Sequence, residues 1–304
     1  MMRILFMGTP EIAAECLKTI CEAGFDVAAV FTQPDRPKGR RMVLTPPPVK
    51  EYAQSRSIDV YQPLKLSKSM DIISEIDPDL IVVVAYGKIL PAKVLDYPKY
   101  GAVNLHASLL PRHRGAAPIQ AAIIAGDKTG GVATMYMTPE LDAGDIIFME
   151  ETPIYDNDTA STLHDRYVDI GGKLLVRTIN AIEQGSAPRT PQDHSLATYA
   201  PIIKKEDAEI DWSKSSVEIR NHIRGYNPWP VAYCELNGQP IKIYDSTIGQ
   251  KEALPGVEPG TVIAEEENGI EVATGDGTLF VTELQVPGKR RMTAQDFLRG
   301  NSFL

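Results

Sequence analysis

The chain has 304 residues, 43% hydrophobic and 23% charged, ordinary proportions for a globular protein and enough length for two domains with separate cores. Its formal net charge of −9 excludes a uniformly basic surface, so any nucleic-acid partner needs a local cationic patch. Three cysteines without Cys-x-x-Cys spacing argue against a disulfide framework or a structural zinc site and fit a reducing cytoplasm.

Arg3 to Met7 reads as a buried strand, too short an apolar run for a signal peptide, and it ends at Gly8-Thr-Pro10. Apolar spacing at Ile12, Cys16, Leu17 and Ile20 predicts a helix from Glu11 to Glu22. Val27 to Phe31 is a second strand, followed by helical segments near Val49–Ser57 and Lys68–Ile76. Leu80 to Ala85 is a continuous apolar run of the kind buried on both faces of a parallel sheet. Ala102 to Leu105 is a short strand that delivers Asn104 and His106 at its carboxyl end. A helix near Ala117–Ala125, strands at Val132–Met137 and Ile146–Glu150, and a long helix from about Ser161 to Gln184 complete this region. Alternating strands and helices imply a doubly wound, mainly parallel, Rossmann-like α/β domain over residues 1–188. Gly8-Thr-Pro10 lacks the further glycines of a dinucleotide fingerprint, so a nicotinamide-dependent oxidoreductase is set aside.

Residues 189–208 are proline-rich and weakly periodic, and read as a linker. Beyond them a helix at about Ser216–Arg224 precedes short alternating strands. Turn signals such as Asn237-Gly238, Pro259-Gly260 and Asp276-Gly277 separate those strands, predicting a small OB-like β-barrel over residues 209–304. No stretch approaches the ~20 apolar residues of a membrane-spanning helix.

The chemistry concentrates in Asn104-Leu-His106-Ala-Ser108-Leu109-Leu110-Pro111-Arg-His-Arg114-Gly115, with Asp142 downstream in Leu-Asp-Ala-Gly-Asp. Residues i and i+2 of a strand project to one face, so Asn104 and His106 can address one point. An amide donor, an imidazole and a carboxylate suit oxyanion stabilisation and proton movement in acyl transfer, without a metal and without a serine or cysteine nucleophile. Spacing alone leaves Asp145 as a competitor of Asp142. His113, His164, His194 and His222 are read as structural. Trp212 and Trp229 are read as packing residues.

On these motifs the chain resembles the 10-formyltetrahydrofolate-dependent formyltransferases. The likeness rests on Asn104-x-His106-x-Ser-Leu-Leu-Pro-x-x-Arg-Gly and Leu141-Asp142-x-Gly144-Asp145. It extends through Phe-x-Gly-Thr-Pro near the start, Val84-Ala-Tyr-Gly-x-Ile-Leu-Pro91 and Asn227-Pro-Trp-Pro230. The resemblance implies Asn104, His106 and Asp142 as catalytic residues, with Asp142 favouring the charged imidazole and relaying a proton. It implies Ser108, Leu109, Leu110 and Pro111 as a folate-binding loop acting largely through its backbone. The implied co-substrate is 10-formyltetrahydrofolate, with no metal.

The segment Gln33-Pro-Asp-Arg-Pro-Lys-Gly-Arg-Arg is similar to that of members acting on methionyl initiator tRNA. Glycinamide-ribonucleotide and nucleotide-sugar formyltransferases are not expected to carry it. Arg36, Lys38, Arg40 and Arg41 supply the local patch that the acidic total charge demands, and by resemblance they form a flexible arm to the acceptor stem. Met42 and Val43 stand where the family often has lysines. Lys204-Lys205 and Lys289-Arg290-Arg291 are further candidate phosphate contacts. The expected assembly is a cytoplasmic monomer.

Overall fold

Five consecutive residues without a polar side chain, Leu80-Ile-Val-Val-Val84, offer no face to water and are buried along their whole length. They form the interior of a seven-stranded sheet in the computed structural model, which describes residues 2–39, 42–236, 238–249, 252, 255–267 and 269–304. In chain order the first strands are β1 (Arg3–Gly8), β2 (Asp26–Phe31), β3 (Arg36–Lys38), β4 (Val43–Thr45), β5 (Asp59–Tyr61), β6 (Leu80–Val84) and β7 (Ala102–His106). β8 (Arg114–Gly115), β9 (Thr129–Tyr136) and β10 (Ile146–Pro153) follow. The helices among them are α1 (Glu11–Glu22), α2 (Pro48–Ser55), α3 (Met70–Ile76) and α4 (Ala92–Leu95).

The sheet runs β10-β9-β7-β6-β1-β2-β5. Its five strands from β7 to β5 are parallel, and β9 turns antiparallel against β7. The chain starts at β1, builds outward through β2 and β5, then returns to place β6 and β7 on the other side. That reversal makes the carboxyl ends of β1, β6 and β7 a crevice-forming edge. Leu80, Ile81 and Val82 are fully buried, each stabilising by roughly 1.5–3 kcal/mol through removal from water. The α/β reading therefore holds, with α1 occupying the predicted span.

The chain divides into two compact units. The first comprises Met1–Gly115, Gly130–Thr152 and His164–Tyr199; the second comprises Ala116–Thr129, Pro153–Leu163 and Ala200–Leu304. α5 (Pro118–Ile124) thus belongs with the second unit, where Gly225 lets it approach closely: a Cβ there would lie 2.5 Å from Ile124. The buried Arg224 guanidinium donates to the Tyr155 and Asp158 carbonyls, each at 3.0 Å, tying the segment around Pro153 into the same unit. α6 (Ala160–Glu183) then carries the chain into the long final stretch of the first unit.

After β11 (Tyr199–Ala200), α7 (Ser216–Gly225) begins with a reciprocal capping box between Ser215 and Glu218. β12 (Tyr233–Leu236), β13 (Gln239–Ile248), β14 (Val262–Glu266), β15 (Gly269–Ala273) and β16 (Thr278–Gln285) form an antiparallel half-barrel, ordered β12-β13-β16-β15-β14. β17 (Met292–Thr293) pairs with β16, and α8 (Ala294–Leu298) follows. Trp212, Ile219, Ile243, Leu279 and Phe297 share the core of this unit. Trp229 does not: it is 52% exposed, because the prolines on both sides leave it on a turn rather than on a core-facing strand. Among the described residues no helix is long and apolar enough to cross a membrane.

Candidate active site

On β7, Asn104 sits opposite Val83 of β6 and His106 lies one residue past the last β6 pair, Val84 with Leu105, so the i, i+2 spacing sets both on one face of the strand near its carboxyl end. Asn104 is half-buried, and among the described residues none hydrogen-bonds its side-chain amide. His106 is buried and held on both sides. Its Nε2 lies 2.9 Å from the His113 carbonyl. A carbonyl can only accept, so Nε2 carries the hydrogen. Nδ1 faces Asp142 Oδ2 at 3.7 Å, beyond direct hydrogen-bond length but within ion-pair range.

The choice between the two aspartates is made by the loop joining β9 to β10. Asp145 turns away to Arg189, 3.7 Å from its guanidinium, and its carbonyl accepts from the Tyr136 amide. Asp142 turns inward, and its Oδ2 accepts from the Gly115 amide at 2.7 Å. This requires Asp142 to adopt a left-handed backbone with φ 48°, which costs about 1–2 kcal/mol for a residue with a Cβ. Two hydrogen bonds offset that cost, from Gln192 Nε2 to the carbonyls of Asp142 at 2.9 Å and Gly144 at 2.7 Å, each worth roughly 0.5–1.5 kcal/mol.

Gly144 has its own reason to be glycine. A Cβ built there would stand 1.8 Å from the Tyr136 carbonyl oxygen. Gly144→Ala is therefore expected to cost at least about 1–3 kcal/mol of stability, measured as a lower urea midpoint, and to displace Asp142 with loss of activity.

The loop Ser108–Pro111 places its four residues differently from one another. The Ser108 hydroxyl is spent on the Arg112 carbonyl at 2.6 Å. Leu110 is buried against Ala133, Met135 and Ile146. Leu109 and Pro111 are half-buried, and the Leu110–Pro111 peptide is cis. Ser108 and Leu110 are thus turned inward, while Leu109 and Pro111 remain partly exposed.

The basic arm is a short hairpin, with Arg36 opposite Thr45 and Lys38 opposite Val43. Extended β3 and β4 thus replace part of the flexible loop expected from sequence. Arg36 is exposed; Arg40 and Arg41 lie outside the described residues. Met42, Val43 and Leu44 are exposed beyond the turn. The root of the hairpin is pinned. Lys50 Nζ contacts both Asp35 oxygens at 2.8 Å, and Gln62 Nε2 donates to Asp35 Oδ1 at 2.8 Å. Hydrogen bonds from Lys50 and Gln62 hold the Asp35 carboxyl below its ordinary pKa.

Sequence reasoning overlooked Lys88. Its Nζ donates to the Pro63 and Leu64 carbonyls, and burial followed by the charge of Arg36 holds its pKa down. It also overlooked Gln192, placed in the proline-rich segment, and Arg114, whose guanidinium grips the Gln192 side chain. The only sequence signal for Arg114 is its place in the Arg-Gly that ends the motif.

The cysteines stand apart from this chemistry. Burial pushes the Cys16 and Cys234 thiols up to about 12 and raises that of Cys21, the opposite of nucleophile activation. Among the described residues no group of three or more His, Cys, Asp or Glu side chains is assembled as a metal-ligand set.

The Formyl transferase family matches residues 2–179, and the Formyl transferase, C-terminal domain, matches residues 202–302. The chain is 51% identical to the methionyl-tRNA formyltransferase of Bacillus subtilis, covering 99% of this chain and 95% of that protein. It is 50% identical to the methionyl-tRNA formyltransferase of Clostridium novyi, covering 99% and 97%. Among solved structures, the sugar 3N-formyltransferase WlaRD shares the fold, with a TM-score of 0.69 and 21% identity over 95% of this chain and 99% of that one. HypX from Aquifex aeolicus, solved with tetrahydrofolic acid, aligns with a TM-score of 0.62 and 17% identity; it covers 98% of this chain, which spans about half of HypX (47%). With both domain matches in place and half of its residues shared along its length, the chain belongs to the methionyl-tRNA formyltransferase family.

Proposed function

We propose that the chain transfers the formyl group of 10-formyltetrahydrofolate to the α-amino group of methionine esterified to initiator tRNA. The observation that supports this reading is the pairing of His106 with Asp142 at the carboxyl end of β7, two residues after Asn104, in a member of this family. When bound, the folate supplies the formyl group on its N10. A half-buried amide without a hydrogen-bond partner among the described residues is a donor that a formyl oxygen can use, so the site fits such a co-substrate.

In the proposed reaction the Asn104 amide donates to the oxygen that gains negative charge as the amine adds to the formyl carbon. His106 Nε2–H is held by the His113 carbonyl in the free site, and it serves as second donor to that oxygen only by leaving this partner. Asp142 faces the opposite ring nitrogen and stabilises positive charge there as protons move between amine and leaving nitrogen. The main chain of Ser108–Pro111 is the proposed folate contact.

Arg36, Lys38, Arg40 and Arg41 are proposed to meet the tRNA acceptor end, with Lys88 adding charge beside them. The C-terminal half-barrel is proposed as a second tRNA contact. Of its candidates, Arg291 is already paired with Glu283 and stacked 4.6 Å from the Tyr244 ring centre, which directs attention to Lys289 and Arg290. The proposed setting is the cytoplasm, with the enzyme acting as a monomer.

Incubation with 10-formyltetrahydrofolate and methionyl initiator tRNA tests the reading: the expected product is the N-formylated ester. Failure with that tRNA, alongside turnover of an amino-sugar nucleotide, would overturn it. Arg40→Ala is expected to raise KM for the charged tRNA about tenfold, the size of one lost charge-assisted hydrogen bond. Folate affinity should stay at its parental value, and steady-state kinetics with each substrate varied in turn separate the two effects.

A further inference from the structure

We infer that Gln192 is a positioning residue for the transfer reaction, acting through Asp142; the inference rests on the proposed function and deepens it. Gln192 is 6% exposed and its amide is fully committed. Its Nε2 donates to the carbonyls of Asp142 and Gly144 at 2.9 and 2.7 Å. Its Oε1 accepts from Arg114 Nε at 3.1 Å and Nη2 at 2.6 Å. A guanidinium only donates and carbonyls only accept, so the amide has one permitted orientation.

Arg114 is itself 3% exposed and cannot follow a moving partner. Its backbone amide donates to the Thr198 carbonyl at 2.8 Å, and that of His113 to the Thr198 hydroxyl at 2.8 Å. Three consecutive residues therefore bear on the acid–imidazole pair, two directly and Arg114 through Gln192. The His113 carbonyl receives His106 Nε2, the Arg114 side chain holds Gln192, and the Gly115 amide binds the Asp142 carboxylate. Gln192 closes this circuit on the main chain of Asp142. Without it, the carbonyls of Asp142 and Gly144 lose their side-chain donor, and of these contacts Asp142 itself keeps the Gly115 amide on its carboxylate. The Arg-Gly at the end of the sequence motif and the glutamine 78 residues beyond Arg114 thus belong to one device.

The test is a double-mutant cycle on the full-length enzyme, with kcat and KM measured for formyl transfer to methionyl initiator tRNA. Gln192→Met keeps length and volume but removes all four hydrogen bonds. Gln192→Glu keeps an acceptor for Arg114 but has no hydrogen for the two carbonyls. Both are expected to lower kcat about 10- to 100-fold, as misplacement of a catalytic group by a fraction of an ångström does, with KM unchanged. In an Asp142→Asn background, Gln192→Met is expected to cost less than about twofold, because its effect runs through the missing carboxylate. An equal fold-loss in both backgrounds, or parental kcat in Gln192→Glu, overturns the inference. Thermal unfolding identifies a variant that fails to fold; Gln192→Glu, which pairs with buried Arg114, then decides. An inactive parent enzyme would instead sink the proposed reaction itself.

Discussion

Asn104→Ala is expected to lower kcat about 10²- to 10³-fold, the loss typical of a single donor to a developing oxyanion, while tRNA affinity stays close to parental. The expectation follows from what the amide does in the free enzyme. It takes no hydrogen bond among the described residues and lies on an otherwise well-packed strand, so its removal leaves no unsatisfied protein partner. Asn104→Asp sharpens the experiment. A carboxylate of the same shape repels the growing negative charge and should be no better than alanine. Single-turnover formylation with equilibrium tRNA binding in parallel provides the check; a fall in binding that accounts for the whole loss of rate would remove Asn104 from the chemistry.

Asp142→Asn is expected to fold and to lose about 10²- to 10⁴-fold in kcat, the range over which positioned acid–base groups contribute. Asparagine retains an oxygen for the Gly115 amide and tolerates a left-handed backbone, so the turn survives. What disappears is the negative charge 3.7 Å from His106 Nδ1. Asp145→Asn is the internal control: Asp145 points to Arg189 at the surface and its neutralisation should leave kcat near parental. Equal losses in the two variants would show that general loop charge, not the imidazole pairing, supports the reaction.

Much of the fold was legible because its signals are local. The apolar run Leu80–Val84 can only be a strand covered on both faces, and the i, i+2 spacing of Asn104 and His106 can only put both on one face. What escaped the reading depends on partners distant in sequence. Residues 189–208 look like a linker because they lack periodicity, yet Gln192 within them is buried through contacts with residues 114, 142 and 144. No hydrophobic pattern announces a glutamine whose role is to satisfy two carbonyls. The hairpin at Arg36–Thr45 escaped for a related reason: a proline and glycine among cations read as a loop, while its root is held by Lys50 and Gln62 from elsewhere in the chain. Trp229 shows the converse error, since a large aromatic suggests a core position that the flanking prolines deny it.

The amino-acid sequence by itself determined the strand and helix pattern, the face shared by Asn104 and His106, and the local cationic patch in an acidic protein. Each of these follows from residue type and spacing within one element or one short segment. Only the tertiary structure decided that Asp142, not Asp145, turns to the imidazole. That choice depends on whether the backbone can enter a left-handed turn, and the Gly115 amide and the Gln192 side chain that make the turn affordable arrive from 27 and 50 residues away.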